Sequence, residues 1–286
     1  MTIDEFIELA LQEDLQDPQG KIPYGDHSTL STVNPQSSQR ARALIKEDGV
    51  IAGIELAKRI FNQIDPDLKF EETPFKDGDA VKVGDEVFYL EGNPQSILTG
   101  ERLALNFMQR MSGVATLSRA YVDAVKGTGV RILDTRKTTP NLRYFEKWAV
   151  KIGGAENHRF GLYDMIMIKD NHIDFAGGIE KAIEAANTYL AKNNFKVPIE
   201  IETRSLHDVD RVLKHGGVQR IMLDNFLVSE VHEAVQRINK SVEVEVSGGI
   251  NLQTIRAYAE ARPDFISVGA LTHSYTSLDI SLKAIS

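Results

Sequence analysis

Short apolar runs in the second half of the sequence are each followed by charged or small residues that could carry chemistry. Arginine and lysine bind carboxylates and phosphates, and carboxylates bind divalent cations or stabilise developing positive charge. Glycine turns allow backbone N–H groups to approach a phosphate closely. Together these types predict a site for an anionic phosphosugar and a divalent metal, most simply Mg²⁺. The residues are Thr135, Arg136 and Lys137 after the first run, Lys169 after the second, and Glu202, Asp224, Ser247, Gly248, Gly249 and Gly269 after the remaining four.

The charge around the first two runs is opposite in sign to that of the whole chain. Residues 134–172 contain seven lysines and arginines against five acidic residues, a net charge of +2, and also His158 and His172. The complete chain has a formal charge of −8. A basic segment in an acidic protein predicts local attraction of an anionic ligand, whereas the overall charge argues against a nucleic-acid partner.

The apolar runs alternate with helical patterns near 178–193, 206–215, 228–239 and 252–261, which predicts βα units and a parallel sheet. The last strand ends recur every 22 or 23 residues, and this regular spacing favours a barrel, whose chemistry lies at the carboxyl ends of the strands. Six strands are two short of a full barrel, so either the barrel is incomplete or weak strands escape the pattern. The six runs are VRILD (130–134), DMIMIK (164–169), VPIEIE (197–202), QRIMLD (219–224), VEVEVS (242–247) and DFISVG (264–269).

The first half of the chain has a different pattern of elements. Its apolar spacing predicts amphipathic helices, and a polar stretch between the first helix and the first strand reads as a loop. Asp77-Gly78 and Gly84-Asp85 are hairpin signals between short strands. The predicted elements are a helix over 3–14, a loop over 16–39, a strand over 40–46, a helix over 55–64, short strands over 68–90, and a helix over 99–125 that begins at Thr99 and breaks at Ser112-Gly113.

Composition excludes several classes of protein and of site. The chain contains no cysteine, so it has no disulfide framework, thiolate metal site or cysteine nucleophile. Asp4, Glu5 and Glu8 replace the basic start of a signal peptide, and the uncharged apolar runs are far shorter than the roughly 18 residues that span a bilayer. We therefore expect a cytoplasmic protein with no membrane segment.

Several stretches resemble the quinolinate phosphoribosyltransferase family, and they cover most of residues 100–275 in order. Two loop positions depart from the family pattern: Asn141 and Ala155 stand where many members have glycine. The resemblance implies an N-terminal α/β sandwich, over 1–110 with the tail 275–286, and an incomplete TIM-like barrel of six or seven strands over 111–274. The stretches are ERLALNFMQRMSGVAT (101–116), DTRKTTPNLRYFEKWAVKIGGAENHRFGLYDMIMIKDNHI (134–173), IEIE (199–202), MLDN (222–225), SGGI (247–250) and SVGALTHS (267–274).

The resemblance also implies a reaction and a homodimer with shared active sites. Quinolinate and phosphoribosyl pyrophosphate would give nicotinate mononucleotide, pyrophosphate and CO₂ in NAD biosynthesis. Arg102 would reach the neighbouring subunit's site, and Glu202 and Asp224 would hold ribose hydroxyls or Mg²⁺. The other implied assignments are Arg136, His158 and Arg159 with Arg102 for the dicarboxylate, Lys137 and Lys169 between carboxylate and pyrophosphate, Ser247, Gly248, Gly249 and Gly269 for the 5′-phosphate, and Thr135 and His273 as further substrate contacts.

Other interpretations of the same residues stay open at this point. A related phosphoribosyltransferase could use nicotinate or a compound linked to molybdenum transport, a barrel aldolase could form a Schiff base at Lys169 or Lys137, and a non-catalytic sensor could bind an anion. His172 could have no role other than to order its loop. The i, i+4 spacing of Arg143 and Lys147 is typical of a solvated helix face. Glu200 is expected to face away from Glu202 and to be structural.

Overall fold

The computed structural model describes residues 2–285 and divides the chain into two compact units. The first unit is Met1–Thr116 with Thr276–Ser286, and the second is Leu117–Tyr275. The sequence places this division at 110/111. Both positions fall inside one continuous helix over Pro94–Ala124, so no local break in the pattern marks the boundary.

The elements alternate through most of the chain. The helices are α1 (Ile3–Leu15), α2 (His27–Thr32), α3 (Ile54–Ile64), α4 (Pro94–Ala124), α5 (Arg143–Ile152), α6 (Asp170–Ala176), α7 (Ile179–Asn193), α8 (Leu206–His215), α9 (Val228–Ile238), α10 (Ile255–Glu260) and α11 (Ala270–His273). The strands are β1 (Gln39–Ile45), β2 (Gly49–Val50), β3 (Lys69–Glu72), β4 (Ala80–Val81), β5 (Glu86–Gly92), β6 (Arg131–Leu133), β7 (Ile166–Ile168), β8 (Ile199–Thr203), β9 (Arg220–Asp224), β10 (Glu243–Ser247), β11 (Phe265–Ser267) and β12 (Ile280–Ile285).

The first unit contains an antiparallel four-stranded sheet in the order β12-β1-β5-β3 and a two-stranded sheet of β2 and β4. The C-terminal strand β12 pairs with β1 from Arg40↔Ile285 to Ile45↔Ile280, which places the tail in this unit. The hairpins predicted at 77–78 and 84–85 are wrong. Turns do occur there, but β4 pairs with β2 while β3 pairs with β5.

Helix α4 is continuous, so the predicted start at Thr99 and break at Ser112-Gly113 are also wrong. Glycine stands at 113 because a Cβ there would lie 2.2 Å from the carbonyl oxygen of Thr276. The residue allows two segments to approach closely and does not interrupt the helix. The loop predicted over 16–39 contains α2, where the Asp26 side chain accepts from the Thr29 N–H.

The second unit is built on six parallel strands in the order β6-β11-β10-β9-β8-β7. This is the order of an opened barrel. The two edge strands, β6 and β7, are consecutive in the chain but do not pair with each other, whereas all the other adjacent strands of the sheet do pair. A parallel bridge between Leu133 and Glu156 extends the β6 edge by one residue pair. The predicted α/β class with an incomplete barrel is confirmed. Among the described helices, none has the length and apolar character that a membrane crossing requires.

Candidate active site

The carboxyl ends of the barrel strands surround one pocket of about 870 Å³. Parallel strands deliver these ends to the same rim because every βα unit runs in the same direction. The pocket is confined to residues of the second unit. Thirteen residues that the sequence singles out line it: Thr135, Arg136, Lys137, His158, Arg159, Lys169, Glu202, Asp224, Ser247, Gly248, Gly249, Gly269 and His273.

The turn after β10 is shaped by Gly248 and by the end of β9. Gly248 has φ +103°, and a Cβ there would lie 2.3 Å from Asn225 Oδ1 and 2.8 Å from the Asn225 backbone nitrogen. No protein acceptor among residues 2–285 meets the backbone N–H of Gly248 or Gly249. This turn therefore offers free N–H donors at the pocket, as a phosphate site requires.

The turn after β11 is tied to the cationic segment that follows β6. The buried Thr272 hydroxyl donates to the Lys137 carbonyl oxygen over 2.9 Å, and a Cβ on Gly269 would lie 3.0 Å from Lys137 Cδ. His273 lines the pocket and is exposed, with Nδ1 2.7 Å from the Ser274 hydroxyl. The glycine thus lets the Lys137 side chain pass directly over the turn.

Lys169 and Glu202 form an ion pair at the rim. Lys169 Nζ lies 2.7 Å from Glu202 Oε1, and the two side chains are 45% and 12% exposed. The lysine is therefore solvated and paired, whereas a Schiff-base lysine is activated by desolvation or by a second cation. His172 Nδ1 accepts from the Lys169 N–H over 2.9 Å, so His172 orders the start of α6 and does not line the pocket described here.

Glu200 and Glu202 point to the same face of β8, so the prediction of opposite faces is wrong. Side chains alternate with a period of two residues, which puts residues i and i+2 on one face. They differ in depth, because Glu202 lines the pocket while Glu200 is fully buried one layer below it. Burial and the charge of Glu245 raise the pKa of Glu200 to about 7.

At the floor of the pocket, His158 lies against two buried carboxylates. Its Nε2 is 3.0 Å from Glu200 Oε2 and 3.2 Å from Glu245 Oε2. Arg220 donates to Glu245 over 3.0 Å. Although burial opposes it, contacts with His158 and Arg220 lower the pKa of Glu245. The layer holds two carboxylates against one guanidinium and one imidazole, so its charges can balance inside the barrel.

The His158 ring is oriented at both nitrogens. Burial favours the neutral ring, but the carboxylates of Glu200 and Glu245 outweigh it and raise the pKa of His158 to about 9. The Arg159 N–H donates to Nδ1 over 2.6 Å, which favours the neutral ring with its proton on Nε2. In either protonation state Nε2 carries a proton and faces the carboxylates, so we assign that nitrogen as the protonated one.

Lys147 and Asp134 form a buried ion pair behind the pocket wall, so the prediction that Lys147 lies on a solvated helix face is wrong. Their side chains are 1% and 0% exposed, and Nζ lies 2.5 Å from Asp134 Oδ1. Burial raises the pKa of Asp134 to about 6, which leaves it ionised at pH 7, and burial lowers the pKa of Lys147. Arg143 donates to the Thr138 hydroxyl and to the Phe160 carbonyl oxygen.

Direct ligand contacts are available from four cations that line the pocket. Arg136 keeps a buried Nε without a protein acceptor among residues 2–285. Arg159 donates to the Met165 carbonyl oxygen over 3.2 Å, and burial together with the charge of Arg136 lowers its pKa. Two close guanidiniums that repel each other form a site for a dianion, with Lys137 and Lys169 beside them.

Two groups of residues could hold a divalent metal, and their surroundings differ. His158, Glu200 and Glu245 place three ligand atoms within 4.8 Å of one another. A divalent ion there would face the Arg220 guanidinium and the protonated Nε2, so this cluster is arranged as an ion-pair network. Glu202 and Asp224 fit Mg²⁺ better, since each keeps one carboxylate oxygen that no protein donor among residues 2–285 meets. Mg²⁺ takes such oxygens together with water and substrate phosphates.

The remaining sequence predictions fall on residues away from the pocket lining. Arg102 is an exposed residue of α4 in the first unit, and its role toward a neighbouring subunit stays a prediction. Asn141 has φ +65°, a left-handed conformation that favours glycine and that asparagine tolerates. Asparagine at 141 is therefore compatible with the conformation that a glycine would favour.

Sequence reasoning did not single out some residues that line the pocket, namely Glu245, Asp170, Asn225 and Ser267. Glu245 could have been found, because a carboxylate in the middle of a strand that is otherwise buried on both faces needs a polar partner. Asp170 and Asn225 each follow a predicted catalytic residue directly. Ser267 carries no local signal, since a small polar residue at a strand end is common.

Comparisons with known proteins agree over nearly the whole chain. Residues 114–283 match the family Quinolinate phosphoribosyl transferase, C-terminal domain, and residues 26–112 match its N-terminal domain. Quinolinate phosphoribosyltransferase (decarboxylating) 1b of Nicotiana tabacum is 45% identical over 97% of this chain and 81% of its own. The probable nicotinate-nucleotide pyrophosphorylase (carboxylating) of Synechocystis sp. is 40% identical over 99% of this chain and 92% of its own. The crystal structure of NadC from Streptococcus pyogenes has a TM-score of 0.91 at 39% identity and covers 99% of this chain and 97% of its own.

Proposed function

The chain belongs to the quinolinate phosphoribosyltransferase family, and we propose that it converts quinolinate and phosphoribosyl pyrophosphate to nicotinate mononucleotide, pyrophosphate and CO₂ in NAD biosynthesis. One observation carries the proposal: four cations, the carboxylates of Glu202 and Asp224, and a glycine turn with free N–H groups line a single pocket at the barrel rim. This set matches a dicarboxylate, a ribose and a phosphate held together.

Binding of the two substrates follows from the positions of these groups. Quinolinate carries two carboxylates, and Arg136 and Arg159 are suited to bind them through paired N–H donors. The Gly248–Gly249 turn binds the 5′-phosphate through its free N–H groups. Lys137 and Lys169 neutralise the pyrophosphate and bring the acceptor nitrogen toward the ribose, which holds the reactants in the geometry for attack.

The first chemical step forms a bond from the pyridine nitrogen to ribose C1 and breaks the bond from C1 to the pyrophosphate oxygen. Positive charge develops on the ribose as pyrophosphate leaves with the bonding electron pair. Glu202 and Asp224 stabilise this charge or hold the ribose hydroxyls. Lys169 is placed by its ion pair with Glu202 to stay at the rim during the transfer.

The second step breaks the bond between ring carbon C2 and its carboxylate. The electron pair stays on C2 next to the alkylated, positively charged nitrogen, which stabilises it as an ylide, and the carbon then takes a proton from solvent. The ring nitrogen itself supplies the electron sink. This step therefore requires no Schiff base or thiol, consistent with the absence of cysteine.

We also propose Mg²⁺ as the metal of the reaction, held by Glu202 and Asp224 directly or through water. Bound there, it would neutralise pyrophosphate charge and orient the leaving group. Cytoplasmic localisation stays part of the proposal, supported by the cysteine-free composition, and fractionation of source cells tests it.

A homodimer with shared sites completes the proposal. Arg102 is exposed on α4, and no acidic side chain among residues 2–285 forms an ion pair with it. An unpaired arginine within the ER-x-A-L-N stretch supports a role in a neighbouring subunit's pocket, where it would add a third guanidinium for the dianion. C₂ dimers are the commonest assembly in which two copies share such sites.

The experiment supplies purified protein with Mg²⁺, phosphoribosyl pyrophosphate and quinolinate labelled in its C2 carboxylate. We expect released labelled CO₂ and nicotinate mononucleotide in equal amounts, and no CO₂ when phosphoribosyl pyrophosphate is left out. Nicotinate replaces quinolinate in a parallel reaction. Turnover of nicotinate at the same rate would move the assignment to a phosphoribosyltransferase with another acceptor.

A further inference from the structure

A buried ion pair behind the pocket wall, Asp134 with Lys147, lies outside the lining of the pocket. Neither residue lines the pocket, and both are excluded from solvent. Taking two charges out of water is costly, and well-packed apolar residues often replace such a pair without loss of stability. Stability alone therefore gives weak grounds for a charged pair at this position.

The contacts of the pair converge on one pocket residue. The His158 N–H donates to Asp134 Oδ1 over 2.8 Å, and the His158 carbonyl oxygen accepts from Lys147 Nζ over 3.1 Å. Both backbone polar groups of His158 are thus held by the two partners of one ion pair. The Asn157 amide, oriented to satisfy both its groups, donates to Asp134 Oδ2 over 2.9 Å and to the Lys147 carbonyl oxygen over 3.0 Å.

These contacts replace the secondary structure that the segment lacks. Between the end of α5 and the start of β7, residues 153–165 contain only the single bridge at Glu156. A free loop would leave the following side chains mobile on the scale of ångströms. Instead the pair connects three segments: the end of β6 through Asp134, helix α5 through Lys147, and the loop through His158.

The residues placed in this way are those that face an anionic acceptor. Asp134 directly precedes the pocket residues Thr135, Arg136 and Lys137, and His158 directly precedes Arg159. One carboxylate thus fixes the start of both cationic segments relative to each other. A displacement of about 1 Å between binding groups is enough to lower rates by roughly a hundredfold in enzymes.

We infer that Asp134 and Lys147 are positioning residues that set the spacing of the Arg136 and Arg159 guanidiniums and thereby the affinity for the dicarboxylate acceptor. The inference rests on the proposed function. The phosphate turn at Gly248 and Gly249 follows β10, and the hydrogen bonds of the pair among residues 2–285 do not include it. Loss of the pair is therefore expected to weaken quinolinate binding far more than binding of phosphoribosyl pyrophosphate.

The test compares K147M, K151M and the double variant D134N/K147M with the wild type. Methionine keeps the length of the lysine stem and removes its charge and donors. Lys151 lies one turn further along α5 and is exposed, so K151M loses the same charge from the same helix. Calorimetry gives separate Kd values for quinolinate and phosphoribosyl pyrophosphate, steady-state assays give KM and kcat, and urea unfolding gives stability.

We expect K147M to raise the quinolinate Kd and KM by roughly tenfold or more, with less than about a threefold change for phosphoribosyl pyrophosphate. K151M should match the wild type in its Kd and KM for both substrates. The double variant removes the uncompensated charge, so its stability should recover toward the wild type, while its quinolinate Kd stays raised because methionine cannot donate to the His158 carbonyl oxygen.

Two results would overturn the inference. One is an unchanged quinolinate Kd with only the folded fraction reduced, in K147M or, where that variant fails to fold, in the double variant. The other is equal weakening of both substrates. A wild type without turnover of quinolinate would instead refute the proposed function, so the two failures are distinguishable.

Discussion

Replacement of Gly248 by alanine tests whether the turn after β10 is built for close approach at the phosphate site. The residue has φ +103°, and its missing side chain leaves space that Asn225 occupies. An alanine Cβ would lie 2.3 Å from Asn225 Oδ1 and 2.8 Å from the Asn225 backbone nitrogen. The amide side chain can rotate away, but the backbone nitrogen can move only with the end of β9, which carries Asp224.

The magnitude follows from two separate costs. A residue with a Cβ in this region of φ costs about 1–3 kcal/mol, and forcing apart packed atoms costs about 1–3 kcal/mol more. We therefore expect G248A to lower the free energy of unfolding by roughly 2–6 kcal/mol. Displacement of the free N–H groups and of Asp224 should raise KM for phosphoribosyl pyrophosphate by roughly tenfold or more.

The matched control is G127A, in the turn that precedes β6 at the opposite end of the strands. Gly127 also has a positive φ, +85°, but a Cβ there meets no atom within 4 Å, so only the conformational cost of about 1–3 kcal/mol applies. Urea unfolding and steady-state kinetics are measured on both variants. Equal loss of stability in the two, or an unchanged KM for phosphoribosyl pyrophosphate in G248A, would refute the reasoning.

Four further predictions concern charged residues. K169A should lower kcat/KM for CO₂ release by roughly a hundredfold, because it removes a cation from the pyrophosphate and the partner of Glu202. Borohydride with a keto substrate should leave no adduct on Lys169, as mass spectrometry would show, since this lysine is solvated and paired. Co-expression of R102A with K169A should restore about a quarter of wild-type sites if arginine acts across a C₂ dimer, and none if it acts within its own subunit. K147M should be more destabilised relative to the wild type at pH 8 than at pH 6 in urea unfolding. Without the lysine, the pKa of Asp134, already raised to about 6, rises further. Between pH 6 and this higher pKa the unfolded variant carries the Asp134 charge freely while the folded variant is penalised for it, so the stability of K147M falls relative to the wild type.

The barrel and its rim could be predicted because their signals are local. A strand buried on both faces reads as an apolar run, and the polar residue that ends it marks where the chain reaches the rim. The run over 219–224 becomes β9 at Arg220–Asp224, and the run over 242–247 becomes β10 at Glu243–Ser247. The fold then brings Asp224 and Ser247 together by register, as adjacent strands pair at these two residues.

The buried charges could not be predicted in the same way, because their partners lie far apart in the sequence. Lys147 follows Arg143 at the spacing of a solvated helix face, and only the packing of α5 against the end of β6 brings it to Asp134. Glu200 and Glu245 sit in different strands, 45 residues apart in the sequence, and meet through His158 in a segment without regular structure. The two-residue period of a strand places Glu200 and Glu202 on one face of β8, but it does not give the depth at which each side chain lies in the barrel.

Two groups of buried charged side chains contact His158, one at its backbone and the other at its ring. Asp134 and Lys147 hold the His158 backbone, while Glu200 and Glu245 face its Nε2, which is shielded from the pocket. Since neither arrangement is expected to stabilise the fold better than apolar packing, their common effect is to fix the position of His158 and of the following Arg159. Nδ1 accepts from the Arg159 N–H, and Nε2 is buried against the two carboxylates, so His158 contributes charge and shape to the pocket, and the direct contacts to a dianionic acceptor fall to the arginines and lysines around it.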